Sequence, residues 1–208
     1  MSEEENKLTK NPADEATGRK VKRVKTAEEI EKEQEDKVKN LQQWTTKKIE
    51  LSEEWIEKEE QQIARNLVRG GIYMCELGEN IGSEQGSLRP VVVISNDLIN
   101  RSSGNIFVVP LTKTLKKKIQ IGADKKPVRD KDGKIIFLNE PKMQSHYFLR
   151  KQKYTFLQHD SAAMCEVSRA VSKIRISTHL GNIESTDINK IETRLEWVLG
   201  IKKSQRKR

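Results

Sequence analysis

A chain of 208 residues has room for one hydrophobic core plus an appendage, and its formal net charge of +9 favours a polyanionic partner. No apolar run approaches a membrane span, and the opening MSEEENKLTKNP lacks the apolar centre of a secretory leader. The reading is therefore a cytoplasmic protein without a membrane segment, for which nucleic acid ranks ahead of lipid.

Residues 1–25 mix charges around Pro12 without periodic apolar positions, which predicts a disordered charged arm. Thr26-Ala27-Glu28-Glu29 then fits a capping box, the hydroxyl accepting from the amide three residues on while the glutamate reaches back. From there Val38, Leu41, Trp44, Leu51, Trp55, Ile63 and Leu67 recur at helical spacing on a narrow face, with no glycine or proline before Gly70. This predicts a helical extension over 26–68, as one helix or two. So thin a stripe cannot bury itself. It must pair with another helix, lie on the core or dimerise, and the gap between Ile30 and Val38 argues against sustained heptads. The acidic run Glu50, Glu53, Glu54, Glu57, Glu59 and Glu60 reads as a solvated face, or as a cover for a basic site.

The β-type runs fall between Ile72 and Ile176. Ile72–Leu77 reads as a strand, 78–88 as a polar loop, and Val91–Ile94 as a buried strand. A turn cluster follows over 95–105, marked by Asn96-Asp97, and Ile106–Val109 forms a second apolar strand that stops at Pro110. Cys75 and Cys165 lie in apolar surroundings without CxxC or histidine spacing, which predicts buried reduced thiols and no metal. Arg89 and Thr112 flank these two strands, and a sheet edge bearing a guanidinium and a hydroxyl suits an anion. The lysines at 113, 116, 117 and 118 sit beside them and suit phosphate contacts.

Farther on, KPVRDKDGKIIFL reads as two short strands around Asp132-Gly133. Phe148, Tyr154 and Phe156, interleaved with Arg150, Lys151 and Lys153, belong to a core or stack on bases. Met164, Val167, Ala170, Val171 and Ile174 suggest strands, with Glu166 and Arg169 as internal partners. Ile188, Ile191, Leu195, Val198 and Leu199 give a closing helix stopped by Gly200, before a basic tail at 202–208.

Several of these stretches carry a resemblance. RGGIY, GSEQGSLRPVVVISND, VVPLT, DSAAMCEVSRAVSKIRI and LGNIESTDINKIETRLEWVLGI together resemble the MazF/PemK family of toxin endoribonucleases over residues 69–201, with an insertion around 117–158. The resemblance implies a small antiparallel, SH3-like or barrel-like sheet with few helices, usually a homodimer. It implies an enzyme that cuts single-stranded RNA at short sequences without metal or cofactor, restrained by a cognate antitoxin. It assigns cleavage to Arg89 and Thr112 and sets Glu84 and Gln85, with Ser83, beside the substrate groove; Lys113 and Lys116, next to Thr112 in the chain, join them as RNA-binding candidates by position. One departure is Gly71, where the family commonly has Asp.

The chemistry stands without the family name. Cutting RNA without metal requires in-line attack by a ribose 2′-hydroxyl and donors for the charge that collects on phosphorus-bound oxygens. An arginine fork supplies those donors, and a threonine hydroxyl adds one or orients the sugar. The proton acceptor is left open: His146, His159 and His179 lie outside the matched motifs, and Glu84 serves only if it reaches the ribose. The alternative reading is a non-cleaving protein of the same fold that grips nucleic acid, DNA included, or a protein, as the gyrase-poisoning relatives do.

Overall fold

The computed structural model describes residues 23–201; most of the expected arm and the whole basic tail lie outside them. Contacts divide the chain into two units, residues 1–42 and 43–208. In the first, the capping box at Thr26 is formed: Glu29 N donates to Thr26 Oγ1 at 3.2 Å and Thr26 N to Glu29 Oε2 at 2.9 Å. It opens the helical element α1, Ala27–Ala64, in which two helices meet at a kink where Lys58 leaves the helical backbone (φ −125, ψ 23). Ile30, Val38 and Leu41 remain exposed.

The second unit holds the rest of α1 and a seven-stranded antiparallel sheet in the order β6-β7-β3-β2-β1-β9, with β8 also paired to β3. The strands are β1 Gly71–Glu76, β2 Leu88–Val93, β3 Asn105–Thr112, β6 His146–Leu149, β7 Ser161–Met164, β8 Arg169–Ser172 and β9 Ile176–Asn182. β4 Lys117–Ile119 and β5 Phe137–Pro141 form a separate two-stranded piece. Side chains alternate across a strand, so a run such as Val91-Val92-Val93 is apolar throughout only when both faces are covered. That is the case here. Ile72, Val92, Val109 and Leu111 pack with Leu149, Ile191 and Leu195 on one face, while Cys75, Val91, Val93 and Val108 pack with Leu67, Val171 and Ile176 on the other. Burial pushes the thiols of Cys75 and Cys165 up to about 12, and both are free.

Three local expectations change. β3 does not stop at Pro110 but runs to Thr112, because β8 pairs with Asn105–Val108 and β7 with Leu111–Thr112; the proline falls between the two partners. The turn cluster contains a short helix, α2 Asp97–Ser102, capped by Asn96, whose side chain accepts from Leu98 N. Glu166 bonds His146 at 2.7 Å rather than pairing with Arg169, which lies on β8 opposite Val108. The departure at Gly71 has a local cause, since a Cβ there would lie 2.5 Å from the Tyr73 ring.

Residues 43–64 of α1 lie on this unit. Trp44 packs on Gly78 and Trp55 on Gly104. The last turn of α1 carries no basic residue. Its terminal carbonyls are instead met by the fully buried Lys173, whose Nζ donates to Ile63 O at 2.6 Å and Arg65 O at 3.0 Å. Arg65 returns two bonds of 2.9 Å, to Lys173 O and Ile176 O. Within the acidic run Glu50 pairs with Lys47 at 2.9 Å and Glu54 with Lys58 at 3.1 Å, both inside the helical element, while Glu53, Glu57, Glu59 and Glu60 are exposed.

Helix α3, Ser185–Val198, is tied down at its first turn by Asp187. That carboxylate accepts from Tyr147 Oη at 2.7 Å, from Lys153 Nζ at 3.0 Å and from Tyr154 Oη. Arg69, from RGGIY, links Ile94 O to Glu192 in the middle of this helix.

Candidate active site cleft

A cleft of 620 Å³ opens where the end of β3 meets β2 and β9, with the segment 156–161 as its far wall. Arg89 and Thr112 both line it, together with Lys113, Phe156, His159, Ser161 and Thr178. The two side chains singled out from sequence thus share one open cavity, although they lie on different strands.

Arg89 is the second residue of β2, facing Cys75 on β1. The loop before it aims the guanidinium: Arg89 Nε donates to Gly86 O at 2.7 Å and Nη1 donates to Gln85 Oε1. The loop is itself braced, with Asn80 Nδ2 donating to Gln85 O at 2.6 Å and Ser87 N to Gly78 O at 2.7 Å. Gly78 has φ +82 and abuts the Trp44 indole, so the base of the loop rests on α1. Desolvation pulls the Arg89 pKa below its usual value, yet an arginine keeps its charge across the physiological range. Partial burial makes that charge worth more to an anion than it would be in bulk water.

Thr112 ends β3 opposite Ala162 of β7. Its Oγ1 accepts from Thr114 N at 3.2 Å, which leaves the hydroxyl proton to be donated into the cleft. Lys113 adds a second cation to the lining, and no carboxylate contributes to it. The nearest acid in sequence, Asp160, is held below the usual carboxylate range by the Lys151 amide first and then by Arg150. Such a surface offers donors and positive charge and no competing anion. Among the described residues no three His, Cys, Asp or Glu side chains are grouped to hold a metal ion.

The other residues expected at the site separate. Gln85 does not line the cleft but holds Arg89. Ser83 and Glu84 are exposed in the turn closed by Glu84 N to Ile81 O at 3.2 Å, and Lys116 is exposed beyond Thr114; none of the three is part of the lining. Of the three aromatics, Phe148 and Tyr154 are buried in the fold, and only Phe156 reaches the cleft, its ring filling the space above Gly181. His159 is exposed on the cleft wall, whereas His146 is buried against Glu166 and His179 stacks on Tyr73 at 4.6 Å. From sequence alone, His159 is set aside with the other two. Its place depends on the chain returning to β3 after the insertion, which no local pattern encodes.

Residues 68–199 match the family model described as the PemK-like, MazF-like toxin of type II toxin–antitoxin systems. The chain is 29% identical over 133 residues to Endoribonuclease MazF of Staphylococcus epidermidis, a match covering 64% of this chain and 91% of that protein. Among solved structures, MazF from Deinococcus radiodurans superposes with a TM-score of 0.48 at 15% identity, over 66% of this chain and 99% of the other. An endoribonuclease from a mycobacterial species, solved in complex with its cognate antitoxin, gives a TM-score of 0.44 at 18% identity over 65% and 97%. No helix among the described residues is long and apolar enough to cross a membrane.

Proposed function

This chain belongs to the PemK-like, MazF-like toxin family of type II toxin–antitoxin systems, and we propose that it is an endoribonuclease that cuts single-stranded RNA in the cleft shared by Arg89 and Thr112. The observation that carries the reading is that shared cleft, lined by two cations and several hydroxyls and by no carboxylate. The family membership and the 29% identity to a protein named Endoribonuclease MazF support the same reaction.

In the proposed reaction the scissile phosphate lies against Arg89. A ribose 2′-hydroxyl attacks the adjacent phosphorus in line; its oxygen–phosphorus bond forms as the bond to the 5′-oxygen of the next nucleotide breaks. The 2′ proton leaves and the departing 5′-oxygen gains one, so the products are a 2′,3′-cyclic phosphate and a 5′-hydroxyl. Negative charge builds on the non-bridging oxygens, and the guanidinium, already aimed by Gly86 O and Gln85, meets it without reorganising. The Thr112 hydroxyl donates to a second oxygen of the same phosphate. His159 is the group on the cleft wall suited to move a proton. Lys113 holds a flanking phosphate, and Ser83, Glu84 and Lys116 contact the strand from the rim. No step is assigned to a metal or cofactor.

The reading also includes a cognate antitoxin that occupies the cleft, in keeping with membership of a type II toxin–antitoxin family, together with a homodimer and action in the cytoplasm on messenger RNA. The test is incubation of the full chain with a long single-stranded RNA in EDTA. Discrete cuts ending in cyclic phosphate are expected. Intact RNA at high protein concentration would overturn the nuclease in favour of a non-cleaving binder of the same fold.

A further inference from the structure

The stretch 113–145 carries ten Lys and Arg residues against four acidic ones, a local charge of +6 within a chain whose total is +9. Its core is a three-way closure in which Gln120 N donates to Ile136 O at 3.0 Å, Val128 N to Gln120 O at 2.9 Å and Ile136 N to Val128 O at 2.9 Å. Two turns project from it, one closed by Gly122 N to Lys126 O and the other by Asp130 N to Lys134 O, both at 2.9 Å. The single expected hairpin is therefore a β4–β5 ribbon with two tips. Lys125 and Lys126 sit on the first tip and Lys131 and Lys134 on the second, all exposed.

Two of the three acidic side chains of the tips, Asp124 and Asp130, are turned to backbone N–H groups of their own turns, and the lysines still outnumber the acids. Asp130 Oδ1 accepts from Asp132 N and Lys134 N, both at 2.9 Å, and Asp124 Oδ1 accepts from Lys126 N at 3.1 Å. The ion pair found in the stretch among the described residues is Lys118 with Glu140, at 4.0 Å. Amid this charge Phe137 is 54% exposed, on β5 opposite Ile119. The ribbon is also fastened to the cleft. It leaves the sheet just after Thr112 and Lys113, and Arg150 bridges Asn139 O at 3.2 Å to Asp160 Oδ2 at 2.9 Å, beside His159.

We propose that the β4–β5 ribbon is a second RNA-binding surface, which holds single-stranded RNA outside the cleft with its lysines on phosphates and Phe137 against an unstacked base. The proposal rests on the nuclease reading for the identity of the polyanion. Lysine heads are point charges without base readout, so the ribbon adds salt-dependent, sequence-blind grip and leaves sequence choice to the cleft. An exposed aromatic among cations fits an unpaired strand, whose bases are free to stack, better than a duplex. An acidic peptide would satisfy the lysines but gives the Phe137 ring no flat partner.

The test measures binding of the full chain to 2′-O-methyl RNA, which lacks the attacking hydroxyl, as a mixed-sequence 30-mer and as an 8-mer across a salt series. The wild type is expected to favour the 30-mer. Replacing Lys125, Lys126, Lys131 and Lys134 by Gln should collapse that preference at least tenfold and flatten the log–log salt dependence by at least about 1.4, the equivalent of two single-strand phosphate contacts. Phe137→Ala should weaken 30-mer binding at least about fivefold while leaving the salt slope in place. Unchanged affinity ratio and slope in both variants, including the case where only binding to an acidic antitoxin segment suffers, would overturn the ribbon as an RNA surface. Because this probe cannot be cut, the outcome is independent of whether the protein cleaves RNA in EDTA.

Discussion

Replacing Gly78 by alanine tests whether α1 is part of the machinery that aims Arg89. Gly78 is buried at φ +82, and a Cβ there would lie 2.5 Å from Cε2 and Cζ2 of Trp44. The backbone conformation alone costs a non-glycine residue about 1 kcal/mol, and overpacking against a fixed indole adds about 1 to 3 kcal/mol. Gly78→Ala should therefore destabilise the protein by roughly 2 to 4 kcal/mol. Trp44→Ala removes a half-buried indole and its stacking with Arg175, 5.1 Å from the ring, for a cost of about 2 to 3 kcal/mol. In the double variant the clash is gone and only the backbone cost of the Gly78→Ala change remains, so urea unfolding should show the pair coupled by about 1 to 3 kcal/mol. RNA cutting should follow the same pattern, since Gly78 O anchors Ser87 N and Gly86 O holds Arg89. Gly78→Ala should lower kcat by about tenfold and the second substitution should restore part of it. Additive energies, within about 0.5 kcal/mol, would refute the claim that Trp44 supports the loop.

Asp187 is partly desolvated, which by itself would raise its pKa, but bonds from Tyr147, Tyr154 and Lys153 outweigh this and hold it below the usual range. Its folded pKa lies below its unfolded one, so its contribution is complete above the unfolded value of about 3.9 and is lost as pH falls through the folded value. Urea midpoints should decline below about pH 4; Asp187→Asn should cost roughly 2 to 4 kcal/mol at pH 7 and flatten that decline, and an unchanged decline would place its origin elsewhere. Thr112→Val keeps shape but removes the hydroxyl, and kcat should fall by about 10²-fold with binding of uncleavable RNA intact; loss of binding alone would assign Thr112 to affinity instead. His159→Gln should lower kcat by at least about 10²-fold if this imidazole moves the proton, and a change below threefold would remove it from the reaction.

The strands at Ile72, Val91 and Ile106 were readable because both faces of the sheet are buried, which writes continuous apolar runs into the chain. The capping box at Thr26 was readable because all its partners lie within four residues. Pro110 misled for a physical reason: proline is tolerated at a gap between partners, and that gap is set by β7 and β8, more than fifty residues away in the chain. Lys173 gives no local sign that it is buried, since the carbonyls it caps are 108 and 110 residues distant. At the site, Arg89 and Thr112 stood out as polar groups flanking apolar strands. Gln85 could be named but not its task, and Phe156 and His159 depend on how the chain returns after the ribbon.

Whether a guanidinium and a hydroxyl in one cleft break a phosphodiester is measured most directly by comparing wild type, Arg89→Lys and Arg89→Ala on one long RNA in EDTA, with the new ends identified chemically. The wild type should leave cyclic phosphate and 5′-hydroxyl ends, and both variants should cut at least about 10²-fold more slowly, because lysine keeps the charge but not the fork held by Gly86 and Gln85. Full cutting by Arg89→Ala, or ends bearing a 5′-phosphate, would contradict it.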